Sequence, residues 1–91
     1  MTSEDFKKFV AKYGEKGLLR IKLSDESEWV IRGKWLVESQ LEMFRDRVVI
    51  VSPWSRVWVS CNDVELVKWC QKTKRVEVTM STGAISWIPK S

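Results

Sequence analysis

The sequence predicts an α+β fold in which an N-terminal helix packs on a strongly bent antiparallel sheet, or small barrel, of about six strands. Three observations carry this. The first dozen residues repeat their apolar positions with a helical period, the chain after Gly17 alternates with a period of two, and the strand-like runs are short and closely spaced. A chain of 91 residues suits one undivided domain, 1–91, burying roughly 60–65% of the surface its unfolded form exposes.

The helix is expected over 3–13. Thr2 or Ser3 can cap it, and Glu4 and Asp5 suit the positive end of its dipole. Phe6, Phe9, Val10 and Tyr13 form one apolar stripe, and Gly14 is a natural stop. Strands follow at about 18–23, 28–37, 47–52, 56–61, 64–70, 75–80 and 84–88. Leu19, Ile21 and Leu23 alternate with Arg20 and Lys22 before the polar turn Ser24-Asp25-Glu26-Ser27. In the next strand Trp29, Ile31, Gly33, Trp35 and Val37 share one face, and Gly33 suggests a bulge or sharp bend. Residues 39–46 allow two readings. Ser39 and Glu42 have capping-box spacing for one helical turn, while Leu41 and Met43 face alike in a strand extension. The two β-branched runs of VVIVSPWSRVWVSC make a hairpin through Pro53-Trp54-Ser55-Arg56, and Gly83 supports a second hairpin between RVEVTM and AISWIP.

The order of helix, LLRIKLSDESEWVIRG hairpin, then RVVIVSPWSRVWVS and VELVKW resembles the Sm-like and SH3-like small barrels over roughly residues 4–70. The resemblance is one of layout. Asp25-Glu26 stands where Sm-like proteins often carry Asp-Gly, and no second Sm signature follows, so no RNA-binding residues transfer from it. Such a fold hosts many unrelated functions.

Composition then narrows function. Hydrophobic residues at 44% with 31% charged describe a globular chain. No apolar run is long enough to cross a bilayer, and MTSEDFKKF lacks the pattern of a signal peptide, so a cytoplasmic protein is expected. Cys61 and Cys70 fit that expectation as reduced thiols serving as small hydrophobes. There is no histidine, which removes the commonest general base, metal ligand and activator of a nucleophilic serine or cysteine. The four glycines form no phosphate-cradling loop, and the acidic residues show no spacing that pairs two carboxylates. No catalytic residue, metal ligand or cofactor is therefore expected.

Net charge is +4, and the excess is confined to the last third. Residues 1–65 balance to zero, whereas 66–91 carry Lys68, Lys72, Lys74, Arg75 and Lys90 against Glu77. A solvated turn between strands explains the QKTKR segment as well as a nucleic-acid patch does. Six tryptophans are the stronger handle, because each ring covers about 150–250 Å² and a core this small cannot comfortably enclose them all. Trp29 and Trp35 read as core. Val48, Ile50, Val57 and Val59 should face inward, leaving Trp54 and Trp58 at least partly exposed; a Trp58 packed beneath Phe6 or Phe9 is the competing arrangement.

Exposed aromatics beside arginine mark a binding patch. The expected function is a small non-enzymatic module, a regulator or adaptor that recognises a protein partner through Trp54, Arg56, Trp58, Arg32 and Lys34. The alternative is nucleic-acid binding, with Lys72, Lys74 and Arg75 neutralising phosphates. A membrane partner is not expected, and self-association would also occupy the patch.

Overall fold

The computed structural model describes residues 3–41, 46–81 and 86–89. Helix α1 spans Ser3–Lys12 and ends in one 3₁₀ turn, Gly14–Lys16. Strands β1 (Leu18–Lys22), β2 (Glu28–Arg32), β3 (Leu36–Leu41), β4 (Asp46–Val51) and β5 (Ser55–Ser60) follow. A second 3₁₀ turn, Cys61–Asp63, leads into β6 (Val64–Cys70), β7 (Arg75–Met80) and β8 (Ser86–Pro89). The strands form two four-stranded sheets, ordered β2-β1-β7-β6 and β3-β4-β5-β8.

The alternation read from the sequence assigns the buried faces. Leu19, Ile21, Ile31, Val76 and Val78 from the first sheet meet Val48, Ile50, Val57 and Val59 from the second, with Phe6 and Val10 of α1 filling the same core. Val49 is also fully buried, on the opposite face of β4, between Glu38 and Trp58 in the strand register. Residues 28–37, expected as one strand, divide at Gly33. This glycine has φ +85°, a conformation that favours glycine, and it turns the chain out of the first sheet into the second. Trp29, Ile31, Trp35 and Val37 nonetheless keep a common inward face through the bend.

Three expectations are corrected. The sheet is not wholly antiparallel, because β1 pairs with β7 in parallel, Leu19 opposite Val76 and Ile21 opposite Val78. Alternation reports which face is buried and is blind to the partner and its direction. No hairpin joins the last two strands: β8 pairs with β5 in the other sheet, so the segment holding Gly83 connects two sheets and lies outside the described residues. Nor do the described ladders close a barrel, since none joins a strand of one sheet to a strand of the other. Of the ambiguous 39–46 segment, β3 is extended as far as Leu41 and β4 begins at Asp46; 42–45 fall outside the described residues.

Trp35, just past the bend, holds the layers together. Its side chain is 4% exposed. Its backbone N–H donates to the Gly14 carbonyl at 3.1 Å, and its indole Nε1–H donates to the Val10 carbonyl at 3.1 Å. The Val10 carbonyl, in the last turn of the helix, also accepts from the Tyr13 N–H at 3.3 Å, and the Gly14 carbonyl belongs to the 3₁₀ turn that follows. The approach is close enough that a Cβ on Gly14 would stand 2.4 Å from the Trp35 carbonyl oxygen. One glycine therefore does more than stop the helix.

The β1–β2 turn is fixed by charge and hydrogen bonds. Ser27 donates its hydroxyl and amide to the Asp25 carboxylate, which holds that group below its ordinary range. Arg20 donates to Glu28 across the hairpin and lowers its pKa likewise.

Gly14→Ala should lower unfolding free energy by about 1–3 kcal/mol, as overpacked sites do. Trp35→Phe should cost at least about 1 kcal/mol for the lost hydrogen bond alone. Denaturant titration checks both. Because Asp25 and Glu28 titrate lower in the folded than in the unfolded chain, they add stability above their unfolded values that is lost on acidification. The melting temperature should fall from about pH 4 downward, and less steeply in a variant carrying Asp25→Asn with Glu28→Gln.

Candidate functional site

The opening hairpin of the second sheet builds its own rigid tip. Ser52 and Ser55 are both buried, and they clamp the two residues between them. The Ser52 N–H donates to the Ser55 carbonyl at 2.9 Å, the Ser52 hydroxyl donates to the same carbonyl at 3.1 Å, and the Ser55 N–H donates to the Ser52 hydroxyl at 3.1 Å. Pro53 restricts the backbone further and its ring faces the bend at Gly33, where a Cβ would meet it at 3.6 Å. The product is an indole, Trp54, that is 72% exposed on a turn with little freedom to retract it. Sequence reading placed Ser55 in the hairpin corner but did not foresee this clamp; the signal for it was the symmetric spacing Ser-Pro-Trp-Ser.

The outer face of the second sheet continues from that tip. Cross-strand register places Leu36, Val51 and Arg56 in one row and Glu38, Val49 and Trp58 in the next. Trp58 is half-buried on this face, opposite the core that receives Phe6, so the arrangement beneath the helix is not the one adopted. Leu36 is 71% exposed, which the sequence reading did not single out. Beside it, Lys34, Leu36, Val51 and Pro53 line a shallow groove of about 230 Å³. Lys34 reaches Glu15 at 3.0 Å, but both side chains are mostly in solvent, where such a pair contributes little. Arg56 is exposed and has no ion-pair partner among the described residues.

Four of the five expected partner-binding residues, Lys34, Trp54, Arg56 and Trp58, thus belong to this tip and face. Arg32 does not. It lies before the bend, on β2, where a separate groove of about 200 Å³ runs between that strand and the other side of Trp54.

The basic residues of the last third lie elsewhere. Lys72 and Lys74 are exposed on the β6–β7 turn, with Lys74 at φ +56°. Arg75 donates to Glu77 at 3.1 Å, and Glu77 also lies within 3.8 Å of Arg20 and 4.0 Å of Lys68. The turn does adjoin aromatic surface that the sequence reading did not connect to it. Tyr13 and Trp69 stack with centroids 4.7 Å apart and planes 4° from parallel, and the indole of Trp69 donates to Gln71 at 2.9 Å. These residues, with Lys16 and Lys74, line an open cleft of about 350 Å³. On the same turn Cys70 is half-buried rather than fully enclosed, and hydrogen bonds from the Thr73 hydroxyl and amide lower its thiol pKa.

Among the described residues no three Cys, Asp or Glu side chains gather where they would hold a metal ion, and no helix is long and apolar enough to cross a membrane. Against protein-family models, curated proteins and solved structures alike, the chain gives no match.

Proposed function

We propose that the protein is a small non-catalytic binding module, a regulator or adaptor that recognises a protein partner through the Trp54 tip and the adjoining outer face of the second sheet. The observation carrying this is the clamped turn. Two buried serines and a proline are spent on presenting one large aromatic ring to solvent, where it gains nothing from burial. Exposed tryptophan and arginine are the residue types that most often dominate protein interfaces. Leu36 and Val51 supply neighbouring apolar area, and Arg56 and Lys34 supply a charged rim. The absence of histidine from the sequence supports the non-catalytic part of the reading. Two thiols without a disulfide suit a reducing compartment such as the cytoplasm. A helix on two small sheets is compatible with this role, as it is with many others.

The test is a double variant, Trp54→Ala with Arg56→Ala. Both side chains are exposed, so stability should change by no more than about 0.5 kcal/mol, or roughly 2–4 °C in melting temperature. Proteins retained by the immobilised wild type from nuclease-treated lysate should be lost from the variant. Unchanged retention would remove the site, and a large fall in melting temperature would reassign both residues to packing.

Nucleic-acid binding is the second reading, and the Tyr13–Trp69 cleft favours it because Lys16 and Lys74 flank an aromatic wall there. On that reading oligonucleotide affinity falls steeply with salt, and Lys72→Ala and Lys74→Ala each reduce the salt slope by about 1. A chain that retards no single- or double-stranded oligonucleotide at low salt would retire it.

A further inference from the structure

We propose that β2 is a self-pairing edge: two copies of the chain associate antiparallel through it about a two-fold axis at Val30. The inference does not depend on the Trp54 tip binding another protein. It begins with the backbone. Strand β2 lies at the edge of the first sheet, paired on one side with β1. The register is unbroken from the turn to the bend, with the Leu23 N–H donating to the Ser27 carbonyl at 2.9 Å and the Gly33 N–H to the Gly17 carbonyl at 2.9 Å. Hydrogen-bonded and non-bonded pairs alternate along an antiparallel ladder. Ile21–Trp29 and Leu19–Ile31 are in phase with those two anchors and are therefore the bonded pairs. The N–H and C=O groups of Glu28, Val30 and Arg32 point the other way, out of the sheet edge.

Nothing in the strand blocks an approach to those groups. Edges are commonly protected by proline, a bulge or an inward-pointing charge, and β2 has no proline or bulge, with Val30 at its centre 43% exposed. The groove of about 200 Å³ beside it is lined by Trp29 and Ile31 from one face of the strand and by Val30 and Arg32 from the other. It therefore follows the edge itself, where an added strand would lie, with Ser52, Trp54 and Ser55 of the neighbouring hairpin completing its lining.

Charge selects the occupant. An antiparallel pairing of β2 with itself sets Val30 opposite Val30 and Glu28 of each copy opposite Arg32 of the other. Every outward-pointing backbone group on these three residues then meets a complementary one, and both cross-strand charge pairs are favourable. Arg32 has no ion-pair partner among the described residues. Such a two-fold contact closes on itself and stops at a dimer. A contact made by one short strand and one indole buries less than a standard interface, so association is concentration-dependent and weak.

Sedimentation of the unmodified chain from about 10 µM to about 1 mM should show the mass rising from one chain to two. Amide exchange at the upper concentration should protect Glu28, Val30 and Arg32 beyond their protection at the lower one. The decisive variants reverse charge. Arg32→Glu alone sets acid against acid and Glu28→Arg alone sets base against base, so each should weaken self-association at least about tenfold. An equimolar mixture of the two variants should restore a dimer, because each then complements the other. A chain that stays monomeric at about 1 mM would overturn the proposal. So would a dimer whose exchange protection falls on other residues, or variants whose mixture associates no better than either alone. The first two outcomes are read on the unmodified chain and stand whether or not the variants fold.

Discussion

The architecture turns on the contact between Trp35 and the end of the helix. A helix terminus leaves carbonyls without partners, and a chain passing from one sheet to another leaves a backbone N–H without one. Here each need answers the other. The N–H of Trp35 meets the Gly14 carbonyl, its indole N–H meets the Val10 carbonyl, and the ring fills the core beneath them. The helix, the first sheet and the second sheet are thereby referenced to one residue. Gly14 is small because the carbonyl of Trp35 stands where its side chain would be.

The same bend determines what the surface can present. Gly33 carries the chain across, and Pro53 packs against it from the next hairpin. The bend therefore supports the turn that displays Trp54, while Arg32 and Lys34 are separated onto its two sides. Two surfaces result from one indole: a sheet face with Leu36, Arg56 and Trp58 on one side, and a strand edge with Val30 and Arg32 on the other. The exposed side chains on each, Leu36, Trp54 and Arg56 on the one and Val30 and Arg32 on the other, are open to change without loss of the fold.

Much of this was legible in the residues, and the part that was not has a common cause. Periodicity of two found the inward faces of β1, β2, β4 and β5, including Val48, Ile50, Val57 and Val59, because burial acts on every second side chain. The periodicity ran on through 28–37 as one strand; it was the glycine within that run that marked the bend, since few other residues tolerate the positive φ found there. Periodicity could not see that β1 lies beside β7, or that β8 joins β5, since those pairings depend on how the two sheets stack. For the same reason Tyr13 and Trp69, far apart in sequence, gave no sign of their stacking. Nor did the sequence show which of the basic residues near Glu77 would pair with it; the structure sets the Arg75 guanidinium against it. Local chemistry was readable; adjacency across the core was not.

The parallel pairing of β1 with β7 has a consequence for how the molecule is made. It joins Leu19 to Val76, so the middle of the first sheet stays unfilled until β7 has been synthesised. Closing so long a loop carries an entropic cost that only the finished sheet offsets. The helix and the β1–β2 hairpin leave the ribosome ahead of β7 and must wait for it with one edge of β1 unpaired. The first sheet is then completed when the strand that follows the basic turn slides in beside β1, and the second only when β8 reaches β5.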